Sequence, residues 1–208
     1  LQWEYYDKLF NEYVYQTPRL FGERCSVSNY AILVSGTGAR SGFSTLMVDK
    51  IYSGDLIEKG QCFPLYLYEE APPDDGLFAT TGNQGTGLTR RDAITDEGLA
   101  HFQAAYPGEA ISKEDLFYYI YGLLHSPDYR ARFANNLAKQ LPRIPAVKTF
   151  ADFRAFRDAG RTLGDLHVGY ERVEPYPVTF KQGDLRLANI PDPEAFYRVT
   201  KMKFGGIG

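Results

Sequence analysis

Cysteine is scarce: Cys25 and Cys62 are the two in 208 residues, and they stand in unrelated contexts. That excludes a disulfide framework and a four-cysteine zinc site and leaves both as reduced thiols. No run of about eighteen apolar residues occurs, nor a charged-then-apolar leader, so the sequence predicts neither a membrane span nor a secretory signal. The default compartment is then the cytosol. His101, His125 and His167 are the three histidines, and none falls in the His-x-x-x-His or His-Glu-x-x-His spacing of a metal site. Asp165 and His167 lie two apart on an expected helix and point in different directions, so they do not form a base and its orienting acid. A Gly-x-Ser-x-Gly elbow is missing, and neither cysteine carries the neighbours of a catalytic nucleophile. Residues 35–42 are glycine-rich but lack the P-loop lysine and the third glycine of a dinucleotide fingerprint, which argues against nucleotide binding. No catalytic centre is expected within this chain.

What is present is core material: 44% of residues are apolar and 15% aromatic, enough for one sizeable domain or two small ones. The net charge of -3 and pI of about 5.7 count against a chain wrapped in nucleic acid. The charge is unevenly spread, however. Between residues 126 and 161 stand Arg130, Arg132, Lys139, Arg143, Lys148, Arg154, Arg157 and Arg161 against Asp128, Asp152 and Asp158 alone. Between 66 and 76 the only charges are Glu69, Glu70, Asp74 and Asp75. One face can bind a phosphate backbone while another repels it.

Aromatic and β-branched runs at 13–15, 30–34 and 63–68 read as strands, with loops at 35–42 and 71–89. The middle of the chain is helical with explicit caps. Thr95 caps a helix running to about Tyr106, and Ser112 with Asp115 approximates a capping box. The helix that follows places Leu116, Phe117, Ile120, Tyr121, Leu123 and Leu124 on one side. Ser126 and Pro127 open the next helix, which ends before Pro142. Thr149 caps a long helix with Phe153, Phe156, Leu163, Leu166 and Tyr170 on the packed face and Arg154, Arg157 and Arg161 opposite. A last strand is expected over 196–204. The fold class is therefore α+β: a mixed or antiparallel sheet from the N- and C-terminal segments with a helical insert at about 95–168. One domain over 1–208 is expected, with a β-rich lobe (1–92 and 170–208) and a helical lobe (93–169), cut from a longer polypeptide.

Several strings together resemble the type ISP restriction-modification family: Trp3-Glu-Tyr-Tyr-Asp7, Tyr15-Gln-Thr-Pro-Arg-Leu-Phe21, Gln61-Cys-Phe-Pro-Leu-Tyr66, Ile94-Thr-Asp96, the helix from Ile111 to His125, Leu141-Pro-Arg-Ile-Pro145, and Gly164-Asp-Leu-His167 with Glu174-Pro-Tyr-Pro177. The resemblance is to the C-terminal target-recognition (specificity) region of these enzymes. It implies a bacterial or archaeal source and a double-stranded DNA reader joined to the methyltransferase and other domains of the same polypeptide. It places nuclease, translocase and adenine methyltransferase upstream, together with their S-adenosylmethionine, ATP and Mg, and implies no cofactor for this chain and no membrane partner. The Asn-Pro-Pro-Tyr-type methyltransferase motif is not in this sequence. Arginine suits guanine edges and phosphates, and Asn or Gln suits adenine edges. Candidate DNA contacts are therefore Arg40, Ser41 and Lys50, the pair Asn83 and Gln84 with Arg90 and Arg91, and the helical Arg154 and Arg157. For the helix arginines a solvated face or a contact with the rest of the enzyme stands as the competing reading. The alternative for the whole chain is a structural docking module between methyltransferase and motor, without direct base reading.

Overall fold

The computed structural model describes residues 17–21, 27–50, 52, 56–70 and 88–174, with Asp192, Glu194, Ala195 and Arg198. They fall into two compact units, one ending at Glu171 and one beginning at Arg172. In the second, the Ala195 amide donates to Asp192 Oδ1 at 3.0 Å. The strand expected at 13–15 lies outside the described residues, as does all of that expected at 196–204 except Arg198, which is not in a strand.

The first unit is α+β. A short helix α1 (Thr17–Phe21) precedes an antiparallel sheet of β1 (Ala31–Val34), β2 (Thr45–Val48) and β3 (Gln61–Pro64), in the order β2-β1-β3. The run Ala-Ile-Leu-Val of β1 is buried throughout, as befits a central strand covered on both faces. Its Ala31 lies opposite Val48 on one side and Pro64 on the other. The single strand expected over 63–68 is two. Pro64, which cannot donate to a ladder, ends edge strand β3. Leu65 then turns inward, donating its amide to Tyr30 O at 2.8 Å and accepting from Ala93 N at 3.1 Å. The chain re-emerges as β4 (Tyr66–Glu70), which pairs antiparallel with β5 (Leu88–Asp92) in a second sheet. Part of the loop expected at 71–89 is therefore strand, and Arg90 and Arg91 sit on β5.

The helices follow their caps closely. In α2 (Asp96–Ala105) the Thr95 side chain accepts from Gly98 N, and in α3 (Lys113–His125) Ser112 and Asp115 form a full capping box. Ser126 caps α4 (Pro127–Arg132), and Thr149 caps α6 (Phe150–Val168) by accepting from Asp152 N. The one helix expected after Ser126 breaks at Phe133 into α4 and a four-residue α5 (Ala134–Leu137).

Two expectations about helix faces are corrected. Helix α3 buries Tyr118, Tyr119 and Gly122 as well as the expected stripe apart from the half-buried Ile120, so it is enclosed on nearly every side. Leu166 in α6 and Tyr170 in the 3-10 turn that follows it (Tyr170–Arg172) are 44% and 68% exposed instead of packed. The inner face belongs to Phe153, Gly160 and Gly164. The cause is how closely the two helices cross. A Cβ on Gly122 would stand 2.1 Å from Phe156 O, and one on Gly160 2.0 Å from Tyr118 O, so only glycine admits this approach. The aromatic cluster beside the crossing stacks Tyr119 on Phe153 at 4.5 Å between centroids, with Phe102 edge-on to Tyr119 at 5.5 Å.

From Leu141 to Lys148 the chain runs without helix or strand across this cluster, and three tyrosine hydroxyls hold it there. Tyr129 donates to Arg143 O at 2.8 Å, Tyr119 to Pro145 O at 2.6 Å and Tyr106 to Val147 O at 2.7 Å. Alternate carbonyls pinned in this way match the two-residue repeat of extended chain. Ile144 and Ala146 pack partly against the core, while Arg143 and Lys148 are exposed.

Candidate nucleic-acid interface

The 35–42 loop has two left-handed glycines, Gly38 (φ 72°) and Gly42 (φ 78°), which turn it sharply enough to aim backbone amides inward. Those amides are already engaged. Glu58 Oε2 accepts from Arg40 N at 2.8 Å and Ser41 N at 3.0 Å, and these bonds, the one from Ser41 foremost, hold the Glu58 carboxyl below its ordinary range. A side-chain carboxylate occupies the place an anion would take. The Arg40 and Ser41 side chains face solvent; the Arg40 guanidinium is 96% exposed and lies 3.6 Å from Glu58. On its other side the loop docks on the end of α5, with Gly38 N donating to Ala138 O at 3.2 Å. Lys50 is exposed just after β2.

On β5, Arg90 and Arg91 have different surroundings. The Arg90 guanidinium lies 4.3 Å from the centroid of the Tyr66 ring, a stacking position that leaves its nitrogens available. Arg91 is bound to Glu69 at 2.9 Å, and Glu69 also binds Arg19 at 2.7 Å. The two arginine hydrogen bonds hold the Glu69 carboxyl below its ordinary range. Asn83 and Gln84 lie outside the described residues.

The arginines of α6 divide as well. Arg154 is exposed, 5.6 Å from the Phe150 ring centroid. Arg157 joins Asp158 at 2.8 Å and Asp115 at 3.3 Å. Arg161 joins Glu114 at 2.9 Å while lying 4.2 Å from the Tyr118 ring centroid. Burial alone would raise the Asp115 carboxyl, but hydrogen bonds from Ser112 and the Arg157 charge keep it low. Arg157 and Arg161 thus tie α6 to the start of α3 instead of forming an open basic stripe.

Like Arg90, Arg154 and Lys50, a further group of cations has no ion pair among the described residues. Arg132, Lys139, Arg143 and Lys148 are exposed in a stretch that holds no acid between Asp128 and Asp152. The signal for them was that acid-free run. What sequence alone withheld was which of the basic residues are neutralised by partners remote in the chain.

The histidines make a different kind of site. The Tyr121 hydroxyl accepts from Met47 N at 2.8 Å and contacts His167 Nδ1. The His125 ring lies 5.4 Å from that of His167, and burial beside Arg130 and His167 pushes His125 down to about 4. Asp165 takes no part. Cys62 is unpaired and half-buried, and burial pushes its thiol up to about 11. Among the described residues, no three His, Cys, Asp or Glu side chains gather as a metal site would require. No helix there is long and apolar enough to cross a membrane.

An α+β module that sets exposed, unpaired arginines and lysines beside others held by carboxylates has the makings of a binding module. Residues 1–206 match the Type ISP C-terminal specificity domain, and the chain belongs to that family. It is similar to part of the cryoEM structure of a DrdV–DNA complex, with 39% identity over 83% of this chain and a TM-score of 0.66. It is likewise similar to the ATP-dependent Type ISP restriction-modification enzyme LlaBIII bound to DNA (31%, 85% of this chain, 0.64). A third likeness is to a nuclease-deletion mutant of the Type ISP enzyme LlaGI in complex with a DNA substrate mimic (31%, 83%, 0.59). The chain spans only 15%, 10% and 13% of those three chains. Nothing among the curated proteins matches it.

Proposed function

We propose that this chain reads a short sequence in double-stranded DNA for a restriction-modification enzyme. Nuclease, translocase and adenine methyltransferase, with S-adenosylmethionine, ATP and Mg, belong to other parts of that polypeptide, and this chain contributes binding without a catalytic step. The observation that carries the reading is the likeness over more than four fifths of the chain to three proteins in complex with DNA. In this reading phosphate contacts set register, and a few side chains specify sequence. Arg90, Arg40, Ser41, Lys50 and Arg154 have exposed side chains and are the proposed contacts, with Asn83 and Gln84. Arg91 and Arg157 would first have to leave their carboxylates. The test is exchange: placed in a relative in lieu of its own specificity region, this chain should redirect methylation to a new sequence.

A docking role has one specific observation in its favour. An apolar cavity of about 390 Å³ opens between the sheet and the helices, lined by Ile32, Phe63, Phe117, Ile120 and Leu141 among others, and Phe63 and Leu141 are 44% and 37% exposed. Under that reading the exchange leaves the methylated sequence unchanged.

A further inference from the structure

Resting on the reading of this chain as a duplex reader, we infer that the segment 139–148 is its phosphate grip. Lys139, Arg143 and Lys148 hold the sugar–phosphate backbone irrespective of base sequence. Four observations converge on it. Residues 129–151 carry Arg130, Arg132, Lys139, Arg143 and Lys148 and no acid, in a chain whose net charge is -3. Positive charge is therefore concentrated here against the average of the molecule.

The charge is also unspent. Lys139, Arg143 and Lys148 are exposed and enter no side-chain ion pair or hydrogen bond among the described residues. Arg19, Arg91, Lys113, Arg157 and Arg161 are all held by carboxylates within 3.3 Å. A paired arginine must break its pair to take a phosphate; these three displace only water and counterions.

The segment is fixed before any ligand arrives. Its carbonyls at Arg143, Pro145 and Val147 are held by Tyr129, Tyr119 and Tyr106, and Pro142 and Pro145 restrict φ. The ordering cost of a loop that folds on binding is already met within the fold. Finally, the dimensions suit a duplex. The five steps of extended chain from Arg143 to Lys148 cover about 16 Å, enough to set its two cations against separate phosphates of the backbone. Lys139 precedes them at the end of α5, where the Gly38 amide bonds Ala138 O and brings the Arg40 loop alongside.

The experiment is a salt titration of duplex binding by the intact polypeptide that carries this chain, between roughly 50 and 200 mM salt, on its preferred duplex and a scrambled one. The triple variant Lys139→Gln, Arg143→Gln, Lys148→Gln should bind both duplexes more weakly by the same factor. Its slope of log K against log salt should be shallower by about 2–3, because each phosphate that a cation neutralises adds about 0.9 to that slope. The charge-keeping triple variant Lys139→Arg, Arg143→Lys, Lys148→Arg should keep the parent slope, as should Arg161→Gln, which removes a paired cation. An unchanged slope in the glutamine variant overturns the grip while leaving the duplex-reading role intact. A weakening confined to the preferred duplex, or shared by the charge-keeping variant, overturns it too. If the unsubstituted protein binds no duplex at any salt, the reading beneath it fails as well.

Discussion

Gly160 and His125 show how much a single position decides in this fold. At Gly160 any β-carbon meets the Tyr118 carbonyl oxygen at 2.0 Å and the Gly122 amide at 2.7 Å. Both are backbone atoms of a packed helix and cannot swing aside. Gly160→Ala should therefore cost about 3 kcal/mol in urea unfolding, as overpacking of a rigid core does. Gly42→Ala, at φ 78° with nothing within 4 Å, should cost only the left-handed strain of about 1 kcal/mol. Equal costs at the two sites would contradict the close crossing. His125 makes a prediction about pH. Its Nε2 is buried without a hydrogen-bond partner among the described residues, and Arg130 and His167 face the ring. The folded value of about 4 lies below the ordinary 6.5, so the unfolded chain binds the proton more readily. The stabilisation is complete above about pH 6.5 and is lost as pH falls toward 4. In His125→Phe the melting temperature should vary less over that window; an unaltered profile would place the acid sensitivity elsewhere.

Elements defined by neighbouring residues were legible in the sequence, and those defined by distant ones were not. Thr95, Ser112, Ser126 and Thr149 each cap the helix expected of them, because a cap bonds an amide two or three residues along. The faces of α3 and α6 were misjudged because glycines, invisible to an apolar periodicity, set the crossing. The break at Leu65 depends on Tyr30 and Ala93, and the pairing of Arg157 on Asp115, 42 residues away. The candidate contacts were legible as residue types, but their state was not: Arg90 and Arg91 are adjacent in sequence, and only the second is bound to Glu69. The 141–148 segment is the clearest case, since its three anchors come from the residue that caps the end of α2, from α3 and from α4. Tyr129→Phe should leave the Arg143 carbonyl without its donor and cost about 1 kcal/mol. Limited proteolysis within 141–148 should quicken while α6 stays protected, whereas an equal loosening of α6 would mean that the hydroxyl does not anchor the segment.

Within the unit that ends at Glu171, sheet and helices share one core. Ile32, Val34 and Met47 from the sheet pack in the same cluster as Phe102, Tyr119 and Phe153 from the helices. Met47 N bonds the Tyr121 hydroxyl, and Met47 Cε lies 3.1 Å from where a Gly164 β-carbon would stand. Such a core should unfold in one step, sheet and helices together. Phe153, fully buried and in ring contact with Phe102, Tyr106, Tyr119 and Phe150, is the position to test it. Phe153→Ala should destabilise by about 4 kcal/mol. Although Phe153 is on α6, the loss of amide-exchange protection should be as large in β1, at Ile32 and Leu33, as in α3. Protection retained in β1 while α3 opens would instead show sheet and helices unfolding separately.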